Sequence, residues 1–327
     1  MTRPNGLPVR VTVEAPARLH FGILDLRGHR GRRFGGIGAA VPSPSLVLDA
    51  TRHDRLTAEG PDAGRALEFA QRYLAATGIP AGAHLRVQRA IPAHAGLGSG
   101  TQMALTVARA LAELFGQPSD PLTLARAVGR GQRSAIGTWT FALGGFVLEG
   151  GRRAGGDVAP LISRLPMPPS WRCVIAIPEG HPGLSGSAEA AAFRDLPPPA
   201  EREVERVAHL VLMQLLPALA DADLTSFGAA LTEVQRITGG WFAPAQGGAF
   251  SPGPTEALVE RMAAFGAAGV GQSSWGPTVY GLVPQEEAAQ DLGQRVRAWL
   301  GGRGTVLETP FSERGALVSS EWTGVGA

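Results

Sequence analysis

The chain has 327 residues, 44% hydrophobic and 18% charged, a composition typical of a globular protein and not of a disordered one. A net charge of +2 and one short arginine-rich run at 27–33 exclude an extended basic surface, so we expect no nucleic-acid partner. No apolar run of about 18 residues, no apolar core of a signal peptide and a single cysteine, Cys173, predict a cytoplasmic protein that does not span a membrane.

Every basic side chain other than histidine is arginine, and the sequence contains no lysine. This excludes Schiff-base chemistry and lysine-assisted phosphoryl transfer within the chain. Arginine binds carboxylates and phosphates through its planar guanidinium but does not transfer protons at neutral pH. The composition therefore favours an anionic substrate, and the run at 27–33 is a candidate loop for one or a solvated surface loop.

The first half of the chain alternates between short apolar strands and amphipathic helices. Polar residues interrupt the apolar pattern soon after the first strand, at Arg18, His20 and Asp25, and a glycine cluster that we predict to be a loop follows at 35–38. His20 is either a buried structural histidine beside a turn or a site residue with Arg18 and Asp25 nearby. Residue patterns predict strands at 9–14, 46–49, 84–88 and 143–149, helices at 64–77, 103–115 and 120–128, and a polar loop at 129–140.

A glycine-rich loop lies between the strand at 84–88 and the helix that follows it. It contains Gly96, Leu97, Gly98, Ser99, Gly100 and Thr101. Glycines let a ligand approach the backbone, and the start of a helix offers unpaired N–H donors and a partial positive charge. The loop therefore predicts a phosphate site, although a glycine turn that only caps the helix is the alternative reading. Its spacing differs from the P-loop and from the dinucleotide fingerprint.

The second half repeats the mixture of strands and helices without regular βαβ units. Prolines accumulate at 160–169, where we expect the boundary between two domains, 1–165 and 166–327. The fold class expected is α+β with mixed or antiparallel sheets. We predict strands at 171–177, 279–283 and 304–308, helices at 203–219, 224–237, 254–265 and 285–300, and glycine-rich loops at 182–187, 238–248 and 269–278.

Three segments resemble, in chain order, the conserved motifs of the GHMP kinase superfamily: 15–22, 92–100 and 269–276. The resemblance implies a two-domain fold with a ribosomal S5 domain 2-like N-terminal half and a ferredoxin-like α/β C-terminal half. One position departs from the pattern of the kinases, because Gly137 stands where their catalytic aspartate is expected. Glycine cannot accept the proton of an alcohol, so an ordinary small-molecule kinase is disfavoured.

A narrower resemblance is to the β-ribofuranosylaminobenzene 5′-phosphate synthases, a branch of the same superfamily. It rests on segments 18–25, 35–38, 183–186, 246–248 and 272–278. The resemblance implies condensation of phosphoribosyl pyrophosphate with 4-hydroxybenzoate or 4-aminobenzoate, with release of CO2 and pyrophosphate, in tetrahydromethanopterin synthesis. It also implies Mg²⁺ bound with the pyrophosphate and, from the habit of this fold class, a homodimer.

The resemblance assigns roles to individual residues. Arg18 is expected to hold the benzoate carboxylate, and His20 to act as the base at the para group, oriented by Asp25; Asp25 itself or His94 is the alternative base. Further substrate-binding candidates are Gly36, Arg133, Ser134, Gln246, Ser273, Ser274 and Thr278. Two other functions remain open: a GHMP-type ATP-dependent kinase with a relocated base, and a non-catalytic module that binds a phosphoribosyl compound or a nucleotide.

Overall fold

The computed structural model of the chain describes residues 6–180, 182–184 and 186–322. These residues form two β-sheets, each covered by helices, which confirms the α+β class. No helix within these ranges is both long and apolar enough to cross a membrane.

The first sheet has seven strands and is built around two long, largely buried antiparallel strands, β1 and β2. The strand order is β11-β1-β2-β4-β3, and β5 and β6 extend from β2. The strands are β1 (Arg10–Asp25), β2 (Phe34–His53), β3 (Thr57–Glu59), β4 (Gly82–Arg89), β5 (Phe146–Glu149), β6 (Leu161–Leu165) and β11 (Leu317–Glu321).

The helices of the N-terminal half pack around one central helix, α2 (Ser99–Leu114), which contacts β1 and β2. Twelve of its residues are buried, from Ser99 to Leu114, because neighbouring helices also cover it. Those neighbours are α1 (Ala63–Thr77), α3 (Pro121–Ala127) and α4 (Ile136–Leu143). As a result, the first turn of α2 is fixed at the inner end of the glycine-rich loop.

The second sheet has four antiparallel strands, β7 (Arg172–Pro178), β8 (Gly269–Gln272), β9 (Val279–Val283) and β10 (Gly304–Pro310). Their spatial order is β10-β7-β9-β8, which is the 4-1-3-2 order of a ferredoxin-like βαββαβ unit. Its helices are α5 (Gly186–Asp195), α6 (Glu201–Leu210), a π-helical turn (Val211–Leu215), α7 (Leu216–Ala220), α8 (Leu224–Gln246), α9 (Pro254–Ala264) and α10 (Glu286–Leu300).

The long helix α8 connects the two halves, since it packs against both β8 and β1. Gln235 shows the connection directly: its Nε2 donates to the carbonyl oxygen of Phe21 on β1 (2.6 Å), and its Oε1 accepts from the N–H of Gln272 on β8 (2.9 Å). The relative position of the two sheets is thus set by buried hydrogen bonds as well as by apolar packing.

Four local predictions are wrong. The glycine-rich loop predicted at 269–278 begins only after β8, since Gly269–Gln272 form that strand. The glycine cluster 35–38 lies within β2 and is not a loop, because it pairs with both β1 and β5. Residues 238–246 continue α8, although Gly239, Gly240 and Pro244 predicted a loop there. The polar loop at 129–140 ends earlier than expected, since α4 begins at Ile136.

The strands β3, β6 and β11 were not predicted. Both β3 and β11 pair along a single neighbour, and β6 pairs only with β5, so these short edge strands carry weak apolar patterns. The division at 165/166 stays a prediction: β6 is the last strand of the first sheet before β7 opens the second, but β11 returns to the first sheet from the C-terminal end.

Candidate functional site

A cavity of about 520 Å³ lies between the two halves. Its wall includes residues of β1, the glycine loop (residues 94–101, as we use the term from here), the segment 129–134, α5, α8 and the turn after β8. Both halves therefore contribute to one enclosed site, as expected of an enzyme that holds two substrates together.

The glycine loop places the start of α2 at the cavity. Gly98 precedes the helix with φ +77°, a left-handed conformation that strongly favours glycine, and no side chain caps the helix. A Cβ atom at Gly98 would lie 2.9 Å from Cγ of Arg18, so this position also lacks space for a side chain. The predicted phosphate loop thus places the first turn of α2, the positive end of the helix dipole, in the wall of the cavity, which is where an anion site is expected.

Two half-buried arginines flank this helix start. Nε of Arg18 and Nε of Arg130 are both buried without a hydrogen-bond partner among the described residues, and both side chains line the cavity. Arg18 also donates through Nη1 to the carbonyl oxygen of Gly96 (2.9 Å), and Arg130 stacks over the ring of Phe69 (4.8 Å). Buried donors without partners are costly, so they indicate a place where an anionic ligand completes the site.

The charge balance of the cavity is strongly positive. Four arginines line it, Arg18, Arg65, Arg130 and Arg133, against one described carboxylate, that of Glu189. Burial lowers the pKa of Arg18 to about 10, while for Arg130 burial and then the charges of Arg72 and Arg65 have the same effect. Both guanidinium groups still carry a full charge at pH 7, so the cavity attracts a polyanion.

The carboxylate of Glu189 is already engaged within the protein. It forms an ion pair with Arg133 (2.6 Å) and accepts from Nε1 of Trp275 (3.2 Å). Among the described residues no cluster of three or more His, Cys, Asp or Glu side chains could hold a metal ion. The described part of the chain therefore offers no carboxylate cage for a resident divalent cation.

The imidazole of His20 lines the cavity and is 6% exposed. Its Nε2 lies 3.3 Å from Oγ of Ser134, the partner of this ring in the described part of the chain. Burial, and next the charge of Arg18, lowers the pKa of His20 well below its usual value. The ring is consequently neutral at pH 7, as a general base must be before it accepts a proton.

Asp25 does not orient His20. Its carboxylate accepts from the N–H groups of Arg27 (2.7 Å) and Gly28 (2.8 Å), and it thereby stabilises the turn after β1. Five residues separate the two side chains along the strand, a distance of about 16 Å. Asp25 therefore has a structural role at the far end of β1.

An aromatic wall forms another side of the cavity. It consists of Phe34, Phe193, Phe242 and Trp275, which meet edge to face with ring centroids 4.8 to 5.8 Å apart. Such a wall suits a planar apolar ring, while the arginines of the cavity suit charged groups. The cavity thus offers both an anion-binding region and an aromatic region.

The cavity collects twelve of the predicted site residues: Arg18, His20, His94, Gly96, Gly98, Ser99, Gly100, Thr101, Arg133, Ser134, Gln246 and Ser274. Five others lie outside its wall. Besides Asp25, these are Leu97, Gly36, Ser273 and Thr278.

These four residues lie behind the wall of the cavity and support the residues that form it. Leu97 is fully buried in the core, and Gly36 belongs to β2, where a Cβ atom would be 3.6 Å from Nε2 of His20. Ser273 joins the halves, since its Oγ donates to the Gly96 carbonyl (2.7 Å) and accepts from the N–H of His20 (3.0 Å). Thr278 is buried and donates its N–H to Ala95 (3.3 Å).

Sequence reasoning missed several wall residues, including Arg65, Arg130, Glu189 and the aromatic wall. A signal existed for Arg130, because it lies between Gly129 and Gly131 in a segment rich in polar groups. It also missed Glu149, which is fully buried at the end of β5 and hydrogen-bonds to Ser134. No local pattern marks that carboxylate, since its partners come from distant parts of the chain.

The chain is similar to known proteins over almost its full length. Residues 63–145 match the GHMP kinases N terminal domain and 215–301 the GHMP kinases C terminal domain. A beta-ribofuranosylphenol 5′-phosphate synthase of Methanothermobacter thermautotrophicus is 32% identical over 95% of this chain and 99% of that protein. One of Archaeoglobus fulgidus is 34% identical over 83% of this chain and 87% of its own.

Solved structures agree on the fold. A homoserine kinase of Cytophaga hutchinsonii superimposes with a TM-score of 0.73 at 19% identity, covering 98% of this chain and 100% of that one. The mevalonate kinase of L. major gives 0.70 at 16% identity, covering 96% and 100%. At these identities the likeness establishes the two-domain architecture alone.

Proposed function

This chain belongs to the β-ribofuranosylphenol 5′-phosphate synthase family of the GHMP superfamily, and we propose that it condenses phosphoribosyl pyrophosphate with a 4-substituted benzoate. The products are CO2, pyrophosphate and a C-riboside on the route to tetrahydromethanopterin. The relatives' name contains a phenol, which favours 4-hydroxybenzoate over 4-aminobenzoate as the acceptor. The supporting observation is the pair of buried guanidinium groups with unpartnered Nε atoms at an uncapped helix start.

The anion-binding region of the cavity suits the phosphoribosyl donor. Arg130 and the loop residues Gly98 to Thr101 would hold the diphosphate, because they combine a buried charge with the exposed N–H groups of α2. A diphosphate held in this way is a better leaving group, since the negative charge that develops on it is stabilised. The donor also supplies the partner that Nε of Arg130 lacks among the described residues.

The aromatic wall suits the arene ring. Arg18 and His20 lie two residues apart on β1, so their side chains reach the same face of the strand, about 7 Å apart. That spacing is comparable with the length of a para-disubstituted benzene ring. We therefore assign Arg18 to the carboxylate and His20 to the para substituent of the acceptor.

The proposed reaction needs no covalent intermediate on the protein. The ring carbon that bears the carboxylate attacks the anomeric carbon of the donor. The bond between the anomeric carbon and the diphosphate breaks, and its electron pair leaves with the diphosphate. The carbon–carboxylate bond then breaks, CO2 leaves, and that electron pair restores the aromatic ring. The residues contribute by orienting two substrates and by stabilising the leaving diphosphate.

Mg²⁺ fits this site as an ion carried by the donor, with diphosphate oxygens and water as its ligands. It does not fit as a resident metal, because the described residues offer no carboxylate cluster and Glu189 is already paired. The predicted homodimer remains a prediction, which light scattering after size-exclusion chromatography would test.

A substrate scan tests the proposed function. The protein is incubated with Mg²⁺, phosphoribosyl pyrophosphate and either benzoate, and CO2 and pyrophosphate are measured; parallel reactions contain ATP with homoserine or mevalonate. We expect CO2 and pyrophosphate only when donor and benzoate are both present, and no phosphorylated alcohol. ATP-dependent phosphorylation would support the kinase alternative, and tight donor binding without turnover would support the non-catalytic one.

A further inference from the structure

A fully buried carboxylate lies behind the wall of the cavity, at the end of β5. Glu149 is 0% exposed, and its two oxygens accept from the backbone N–H groups of Ala135 (3.2 Å) and Gly151 (2.7 Å). The hydroxyl of Ser134 lies beside the same carboxylate and lowers its pKa. Neither the sequence motifs nor the proposed function gives this carboxylate a role.

The hydroxyl of Ser134 links this carboxylate to the cavity. Since an ionised carboxylate can only accept, the Ser134 hydroxyl is the donor toward Glu149, and Oγ accepts from the N–H of Ile136 (3.3 Å) and from Nε2–H of His20 (3.3 Å). This order fixes the His20 tautomer with the proton on Nε2. The other ring nitrogen, Nδ1, is then an acceptor that remains available to a ligand in the cavity that His20 lines.

We propose that His20, Ser134 and Glu149 form a proton relay that takes the phenolic proton of the acceptor to Glu149 and returns it after decarboxylation. The inference rests on the proposed function and deepens it. When the arene carbon attacks, the phenol proton moves to Nδ1 of His20, the Nε2 proton moves to Ser134, and the Ser134 proton moves to Glu149. After CO2 has left, the same transfers run in reverse and restore the phenol, so no proton is gained or lost overall.

The surroundings of His20 and Glu149 support the roles proposed for them. The imidazole of His20 lies beside the charged Arg18 in a buried position, so it can pass a proton on but cannot keep one. Burial raises the pKa of Glu149 to about 7, against the opposing hydrogen bonds from Gly151, Ala135 and Ser134, so it can both accept and return a proton near neutral pH.

The charged groups of the adjoining turns point elsewhere. Arg32 donates to the carbonyl of Gly151 (2.9 Å), and the guanidinium of Arg33 donates to the carbonyls of Leu26 (2.8 Å) and Phe193 (3.3 Å). Arg152 donates to the Gln132 carbonyl. The pKa of Glu149 is therefore raised by burial, against the opposing hydrogen bonds from Gly151, Ala135 and Ser134.

The alternative is that Glu149 only anchors the backbone at 135 and 151. The two acceptors separate these possibilities, because the phenol of 4-hydroxybenzoate must give up a proton while the amine of 4-aminobenzoate already offers a lone pair. A structural anchor would affect both acceptors equally, whereas a proton acceptor would affect the phenol selectively.

The experiment measures kcat for both acceptors from pH 5.5 to 9 in the wild type, Glu149→Gln, Ser134→Ala and Ser134→Thr, with melting temperatures recorded. For 4-hydroxybenzoate we expect wild-type kcat to fall at acidic pH, and Glu149→Gln and Ser134→Ala to lose roughly 10²-fold to 10⁴-fold with no acidic fall. With 4-aminobenzoate, kcat of Glu149→Gln and Ser134→Ala should fall about threefold or less. Ser134→Thr keeps a hydroxyl, so its kcat for 4-hydroxybenzoate should again fall at acidic pH.

Equal losses on both acceptors, or an unchanged acidic fall in Glu149→Gln, would overturn the relay while leaving the reaction class intact. Failure of the wild-type protein to release CO2 from either benzoate would overturn the proposed function and the relay together. If Glu149→Gln does not fold, the comparison of Ser134→Ala with Ser134→Thr decides, since neither changes the buried carboxylate.

Discussion

Nε2 of His20 lies 3.3 Å from Oγ of Ser134, a residue 114 positions further along the chain. This contact joins β1 to the segment that precedes α4, and Ser134 continues it to Glu149 on β5. A site residue that faces the cavity is thereby connected to a carboxylate that solvent does not reach.

The first prediction concerns stability and pH. The folded state raises the pKa of Glu149 from 4.5 to about 7. The contribution of this group to the stability of the fold is therefore fully present below about pH 4.5, and it is lost as the pH rises through 7. Ionised at pH 8, the buried carboxylate should cost up to about 3 kcal/mol. The melting temperature of Glu149→Gln minus that of the wild type should therefore be larger at pH 8 than at pH 5.

Calorimetry at the two pH values measures this difference, with the exposed Glu68→Gln as a control for loss of a surface charge. A gap between Glu149→Gln and wild type that is the same at pH 5 and pH 8 would show that Glu149 titrates as an ordinary carboxyl group.

The second prediction concerns the donor. Arg130→Met removes a buried guanidinium beside the start of α2, and we expect the Kd for phosphoribosyl pyrophosphate to rise about 10-fold to 100-fold, the range for a hydrogen bond to a charged group. Titration calorimetry measures this Kd. Arg126→Met is the matched control, because Arg126 forms an exposed ion pair with Asp157. Equal donor affinity in Arg130→Met and Arg126→Met would remove Arg130 from the donor site.

The third prediction concerns the glycine loop. Gly98→Ala should abolish most donor binding, because the new Cβ would lie 2.9 Å from Cγ of Arg18 and would also have to adopt φ +77°. Gly78→Ala separates the two effects, since Gly78 has φ +66° but no atom within 4 Å of a Cβ. We expect Gly78→Ala to lose stability of about 1 kcal/mol and no donor affinity. Comparable losses of donor affinity in both variants would contradict a specific role for Gly98.

The fourth prediction concerns the missing catalytic aspartate. Gly137→Asp should not create a kinase, because a Cβ atom there would lie 3.0 Å from Cγ2 of Thr101 and the chain has no lysine to assist phosphoryl transfer. It should instead weaken donor binding through repulsion between two negative charges, whereas Gly137→Ala should keep most affinity. An assay of ATP-dependent phosphorylation of homoserine or mevalonate checks this, and robust turnover by Gly137→Asp would refute it.

The sequence identified the parts of the site that have a local signature. The alternation of Gly96, Gly98 and Gly100 ahead of an apolar helix face predicts the loop and its purpose. Arg18 and His20 interrupt an apolar strand two residues apart, and both do line the cavity. These features depend on neighbours in sequence, which is why residue patterns were enough.

What the sequence did not reveal depends on contacts between distant segments. Glu149 ends an apolar strand like many surface glutamates, and its burial becomes visible only when Ala135 and Gly151 are placed around it. The continuation of α8 through Gly239 has a similar cause: a Cβ there would lie 2.1 Å from the carbonyl oxygen of Ala249, so close packing requires glycine within the helix.

The most direct test of the central claim is the stoichiometry of one reaction with 4-hydroxybenzoate labelled with ¹³C in its carboxylate. The account predicts that labelled CO2, pyrophosphate and a ribosyl phenol phosphate form in equal amounts, that NMR shows a bond between the anomeric carbon and the ring carbon that carried the label, and that ATP is not required. Retention of the label in the product, or formation of a riboside through the phenolic oxygen, would contradict it.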